Sequence, residues 1–191
     1  MATVATPMGA EPVNTLSASG SFTGKVRHIK IASGYGTAIF YGDFVKLVST
    51  GTVEKDTGTS SLTSVGVFVG CSYTDPSTSQ LTFNQTFPAS TAADDIMAYV
   101  VDDPNVVMQM QSSGVLSQTE LGNNIAVVQT AGSTSIGRSK NSLGDTGATT
   151  NTLPMRIIEF VDGPNSAVGD AFTDALVFFN VGHQYTNTTG V

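Results

Sequence analysis

The sequence predicts an all-β protein, a small β-barrel or sandwich of short antiparallel strands with an extended N-terminal arm and at most one short helix. Three observations carry this. Runs rich in Val, Ile, Phe, Tyr and Thr recur along the chain, the residue types that fit a pleated surface. Clusters of Gly, Pro, Asn, Asp and Ser separate those runs and supply turn chemistry. Helical spacing of apolar residues is almost absent, and many short strands without helices call for a barrel or sandwich. Residues 1–20 read as the arm, 21–182 as one β-domain and 183–191 as a polar C-terminal tail.

In the arm, Pro7, Gly9, Pro12, Ser17, Ser19 and Gly20 break any regular period, and Glu11 is the only charge. Such a segment is either disordered or, through Val4, Met8, Val13 and Leu16, laid along a neighbouring subunit. Its deletion is expected to leave the domain folded and to weaken attachment to that neighbour. Lys25 to Ile31 alternates, with Val26, His28 and Lys30 on one face and Arg27, Ile29 and Ile31 on the other, as in a half-buried strand. Ser33-Gly34-Tyr35-Gly36 turns the chain.

The central pair follows: Tyr41 to Val48 and Val65 to Gly70. Val65, Val67 and Val69 are expected on one face, with Gly66, Phe68 and Gly70 opposite. Glycine at alternate strand positions weakens a strand, so a close backbone approach or a sharp bend is expected there. Ser49 to Ser64 reads as a polar loop between the two. Beyond Gly70, Asp75-Pro76-Ser77-Thr78-Ser79 is a turn that returns through Gln80 to Phe83 as a short hairpin.

Ile96 to Val101 is nearly continuous in apolar residues and is expected to be buried on both faces. Asp102-Asp103-Pro104-Asn105 has turn chemistry and predicts a hairpin into Val106 to Gln111. Ser117 with Glu120 matches a capping box, and Gly122 limits that helix to a turn or two. Ile125 to Gln129 reads as a strand. Ala131 to Asn151 reads as a long surface loop with at most a short strand near Ile136. Met155 to Val161 and Asp174 to Val181 are the last strands, joined through Asp162-Gly163-Pro164-Asn165.

Composition narrows the function classes. The chain has 191 residues, 40% hydrophobic, enough for one real core. Charged residues make up 12%, about half the roughly 25% usual for a soluble domain. Low charge with abundant Ser, Thr, Asn and Gly points to a surface committed to contacts. Net charge is −7 with only 8 Lys and Arg, which argues against nucleic acid, where clustered cations must displace phosphate counterions. The one cationic cluster, Lys25, Arg27, His28 and Lys30, alternates with apolar residues on a strand. No run has the length of a membrane-spanning helix, so no membrane partner is expected, and no basic-then-apolar leader marks a signal peptide. Asn84-Gln85-Thr86 and Asn187-Thr188-Thr189 then match the glycosylation pattern by chance.

Residues with chemical potential are few. Asp94-Asp95 and Asp102-Asp103 are paired acids, which can do acid–base work only if their environments differ. Neighbours on a strand point to opposite faces, so Asp94-Asp95 reads as the start of a strand and Asp102-Asp103 as a turn. His28 and His183 are the only imidazoles and Cys71 the only thiol, too few for a zinc set from one segment. Cys71 between Gly70 and Ser72 reads as a small buried apolar residue and permits no intramolecular disulfide. The sequence therefore assigns no catalytic residue, no metal ligand and no cofactor. Trp is absent and Tyr scarce, which also argues against aromatic stacking platforms.

One resemblance stands beside this reading. Gly42-Asp43-Phe44-Val45-Lys46-Leu47, a polar loop, and Val65-Gly66-Val67-Phe68-Val69-Gly70 resemble the core hairpin of bacteriophage head decoration proteins. Phe172-Thr173-Asp174-Ala175-Leu176-Val177 is similar to their closing strand. Gly70-Cys71-Ser72-Tyr73-Thr74-Asp75-Pro76 with Ala98-Tyr99-Val100-Val101-Asp102-Asp103-Pro104 resembles structural proteins of tailed marine phages. The resemblance covers most of residues 24–181. It implies a non-enzymatic capsid cement protein, made in the host cytoplasm and bound to the outer capsid surface of the virion. Its implied partners are the major capsid protein and copies of itself. A tail or fibre adhesive module is the alternative expectation, and a hydrolase on a β-scaffold a third.

Overall fold

Alternating apolar residues and Gly-, Pro- and Asp-marked turns give thirteen strands among the described residues, 4–16, 24–187 and 189–191, of a computed structural model. In chain order these are β1 (Glu11–Thr15), β2 (Val26–Lys30), β3 (Phe44–Leu47), β4 (Val53–Lys55), β5 (Gly66–Thr74), β6 (Leu81–Asn84), β7 (Met97–Val101), β8 (Val106–Gln111), β9 (Asn124–Ile125), β10 (Val127–Val128), β11 (Ser142–Leu143), β12 (Met155–Phe160) and β13 (Asp174–Phe179). A 3-10 turn, Gln118–Glu120, lies between β8 and β9 and carries the expected capping box. The fold is all-β, as the sequence predicts.

Sheet I has the order β1-β8-β13-β12-β9, and sheet II the order β2-β7-β5-β3-β4 with β6 also on β5. All strand pairs are antiparallel. One core lies between the sheets: Phe44, Val67 and Val101 of sheet II against Met108, Met110, Met155, Ile157, Val177 and Phe179 of sheet I. A second core lies on the far face of sheet II, where Val45, Phe68, Cys71, Ala98 and Val100 meet Ile31, Ile39, Phe87 and Ile96. An Ile31–Val53 bridge brings the two ends of sheet II together, so the sheet curls around this second core. Sandwich and barrel features thus coexist. Each large side chain so buried contributes about 1.5–3 kcal/mol.

The glycines of β5 do what their spacing demanded. A Cβ on Gly66 would sit 2.1 Å from the Val101 carbonyl oxygen. Gly70 adopts φ +150° at a register shift between Phe68 and Gly70, a bulge that bends the strand. Val67 and Val69 share the face toward the first core as expected, whereas Val65, which precedes the strand, belongs to the second core.

Other expectations are corrected. Asp102 to Asn105 does turn the chain, with Val106 N–H donating to the Asp103 carbonyl (3.1 Å). Yet β7 and β8 do not pair: β7 lies between β2 and β5, and β8 between β1 and β13. The turn is a corner from sheet II to sheet I, because both edges of each strand are taken by other partners. Residues 49–64 are not only loop; β4 forms there and pairs with β3. Ala131 to Asn151 contains β11 and the buried Ser139, Asn141, Ser142 and Leu143, while Ile136 is exposed. Ile125 to Gln129 is split into β9 and β10, in different sheets. A bulge between Ile157 and Glu159 turns Phe160 inward and Glu159 outward. Lys25 to Ile31 is mostly exposed over β2, and Met97 is exposed at the start of β7.

The arm is not separate over the described part of residues 1–20. β1 pairs with β8, and Ala10 is buried with its N–H on the Gly42 carbonyl (2.9 Å). Residues 17–20 of the arm lie outside the described residues. The tail is not loose either: His183 is buried.

Candidate interaction surface

Register places one set of side chains on a single face of sheet II. Phe83 of β6 is opposite Ser72 of β5, which is opposite Met97 of β7, which is opposite Lys30 of β2. One row along, Leu81 is opposite Thr74; on the other side Tyr99 is opposite His28. Period-2 alternation keeps these rows on one face. It is the face whose other end, at Val67 and Val101, is covered by sheet I. At this end the cover stops: Phe83 is 70% exposed, Leu81 61% and Met97 39%. The His28 ring lies against Tyr99 at 4.5 Å between centroids. A run of exposed apolar side chains on one sheet face is the mark of a contact surface.

The two edges beside this face differ. β2 carries Arg27, His28 and Lys30, and charge on an edge strand discourages pairing with another chain. β6, Leu-Thr-Phe-Asn, is uncharged, pairs only with β5 among the described residues, and so presents an open edge able to accept a strand. The Asp75 turn fixes that hairpin. Ser77 donates to Asp75 Oδ1 through both N–H (2.7 Å) and Oγ (2.6 Å), which holds the Asp75 carboxyl below its usual range.

Three polar clusters lie elsewhere. Asp43, fully buried, accepts from Lys55 Nζ (2.9 Å), Phe40 N–H (2.9 Å), Ser139 Oγ (2.7 Å) and Asn141 Nδ2 (3.2 Å). Sequence reasoning missed it because Ser139 and Asn141 sit in a stretch with loop composition. A fully satisfied buried carboxylate rigidifies its surroundings.

Asp102, buried at the corner, pairs with Arg27 of β2, whose guanidinium is held above its usual value by that contact. Arg27 also lies over the Tyr185 ring (5.7 Å). His183 packs edge-on against Phe179 (5.0 Å) and Tyr185 (5.6 Å). Burial pushes its imidazole below its usual value, against the pull of Asp102 and Asp103. Its Nδ1 accepts the Tyr185 N–H (3.3 Å).

At the third, Glu11 of β1 bonds Arg138 (2.7 Å) and accepts from the Tyr41 hydroxyl (3.1 Å). Glu11 and Arg138 border an open cleft of about 270 Å³ lined also by Gln109, Gln111 and Asp174. Burial raises the Asp174 carboxyl, opposed by Gln111 and Gln109.

The remaining sequence candidates are scattered. His28 is on the exposed face and His183 inside. Among the described residues no group of three or more His, Cys, Asp or Glu side chains is placed to hold a metal ion. Cys71 is buried, its thiol pushed up to about 12 by desolvation. Asp95 lies just before β7 and accepts the Thr74 N–H and hydroxyl (3.0 and 2.6 Å), which lowers its pKa. Asn84 accepts from the Thr86 N–H in a local turn (3.2 Å); the second Asn-X-Thr triplet includes residue 188, outside the described residues. Among the described residues no helix is long and apolar enough to cross a membrane. No family model matches the chain, and neither a curated protein nor a solved structure matches it.

Proposed function

We propose that the chain is a non-enzymatic structural protein of a phage virion, a capsid decoration or cement protein. It binds the outer capsid surface and bridges neighbouring major capsid subunits. The observation that carries this reading is the exposed Leu81–Phe83–Met97 face beside the uncharged edge of β6. Burying Leu81 and Phe83 alone would contribute about 1.5–3 kcal/mol each, and many weak copies on a lattice add up. A protein that binds only the assembled lattice stabilises it by mass action, with no chemical step. The acidic balance of the chain suits an outer surface better than one facing DNA.

The test is co-sedimentation with assembled capsids and with isolated capsid subunits. Binding to the lattice alone, lost in Phe83→Asp, is the expected result; equal binding by that variant, or none by the wild type, sinks the reading. The tail or fibre adhesive module is the second reading, favoured by the cleft lined by Glu11, Gln109, Gln111, Arg138 and Asp174. A glycan array with the wild type and Gln111→Ala tests it.

A further inference from the structure

We propose that Lys55 and Asn141 become joined by an intramolecular isopeptide bond, with Asp43 as the proton shuttle. Independently of the capsid reading, the hydrogen bonds around Asp43 gather the three side chains that this reaction uses. Lys55 Nζ, the nucleophile, donates to Asp43 Oδ2 at 2.9 Å. Asn141 Nδ2, the leaving nitrogen, donates to Asp43 Oδ1 at 3.2 Å. One carboxylate therefore holds the amine on one oxygen and the amide on the other. The Thr130 N–H donates to Asn141 Oδ1 at 3.0 Å, a backbone donor on the oxygen that takes up charge when the carbonyl is attacked. Asp43 and Asn141 are fully buried and the Lys55 side chain is 9% exposed. Holding the groups together and away from water replaces a bimolecular encounter by a fixed one.

The step balances without any further reactant. Written from the ammonium form, Lys55 passes a proton to Asp43 and its free electron pair attacks Asn141 Cγ. Asp43 hands that proton to Nδ2, the Cγ–Nδ2 bond breaks, and a second proton leaves Nζ through Asp43. The products are a Cγ–Nζ amide, one ammonium ion and the original carboxylate. Nothing is oxidised or reduced. Ser139 Oγ, on Asp43 Oδ1 at 2.7 Å, and Thr130 are positioning residues. The bond would tie the end of β4 to the segment leading into β11.

Intact mass and peptide mapping of the full-length wild-type protein test this. The expected result is a mass short by one ammonia and a branched tryptic peptide carrying both Lys55 and Asn141. Lys55→Arg, Asn141→Ala and Asp43→Asn should each show the full calculated mass, with circular dichroism reporting which of them are folded. A wild type at full mass overturns the proposal. So does an ammonia deficit without the branched peptide, which would mean an asparagine had closed on its own backbone. A folded Asp43→Asn variant that still carries the branch overturns the role of Asp43.

Discussion

Gln184 grips Leu47 from both sides: its Oε1 accepts the Leu47 N–H at 2.6 Å and its Nε2 donates to the Leu47 carbonyl at 2.9 Å. The side chain does for β3 what a neighbouring strand would do. Gln184→Ala should lower unfolding free energy by about 1–3 kcal/mol, since two backbone groups lose their partner. Urea titration of the two proteins measures it, and an unchanged midpoint would leave the C-terminal segment as mere tail.

Gly66→Ala should also destabilise. Its Cβ would meet the Val101 carbonyl at 2.1 Å, backbone against backbone, between two central strands. Overpacking of this kind costs about 1–3 kcal/mol or more. A thermal midpoint several degrees lower is expected; an unshifted one would mean that β5 and β7 are further apart than described.

Removing residues 1–16 should destabilise the domain. It deletes β1 from sheet I, withdraws Ala10 from the core and strands Arg138 without Glu11. A truncated protein as resistant to heat as the full chain would restore the view of an independent arm.

Stability should fall as pH drops below about 6.5. Burial depresses the folded pKa of His183, so the unfolded chain takes up the proton first. The neutral form is favoured in the fold, and its contribution is complete above the unfolded value and is lost toward the folded one. The slope approaches about 1.4 kcal/mol per pH unit for one proton. Asp102, the Val65 backbone and Asp103 oppose the depression and narrow the window; Tyr185 packs on the ring. Comparing wild type with His183→Phe between pH 5 and 7 checks it: the variant's stability should be flatter there.

Much of the fold was legible in the sequence because turn chemistry is local. Asp75-Pro76 gave a hairpin, and Ser117 with Glu120 gave a single capped turn. Strand existence was legible for the same reason. What was not legible is who pairs with whom. Asp102-Asp103-Pro104-Asn105 turns the chain equally well inside a hairpin or between sheets, and only the occupied edges of β7 and β8 decide. Bulges at Phe68–Gly70 and Ile157–Glu159 invert facing with no local mark beyond one glycine. Of the exposed face, His28 and Lys30 stood out as polar residues on a strand. Phe83 and Met97 read as ordinary strand residues, because exposure depends on where sheet I ends. The Asp43 cluster was invisible, since its members are separated by up to 98 positions.

The strands of sheet II all fall between Val26 and Val101, whereas sheet I needs both β1, at Glu11–Thr15, and β13, at Asp174–Phe179. During synthesis all strands of the curled sheet emerge before β12 and β13 of its packing partner have been made. The first strand to emerge must wait for β8 and β13 before its sheet exists. Nascent chains stalled once residue 101 has cleared the exit tunnel should therefore show a protease-resistant sheet II whose Phe44, Val67 and Val101 face is still bare, a stage open to aggregation.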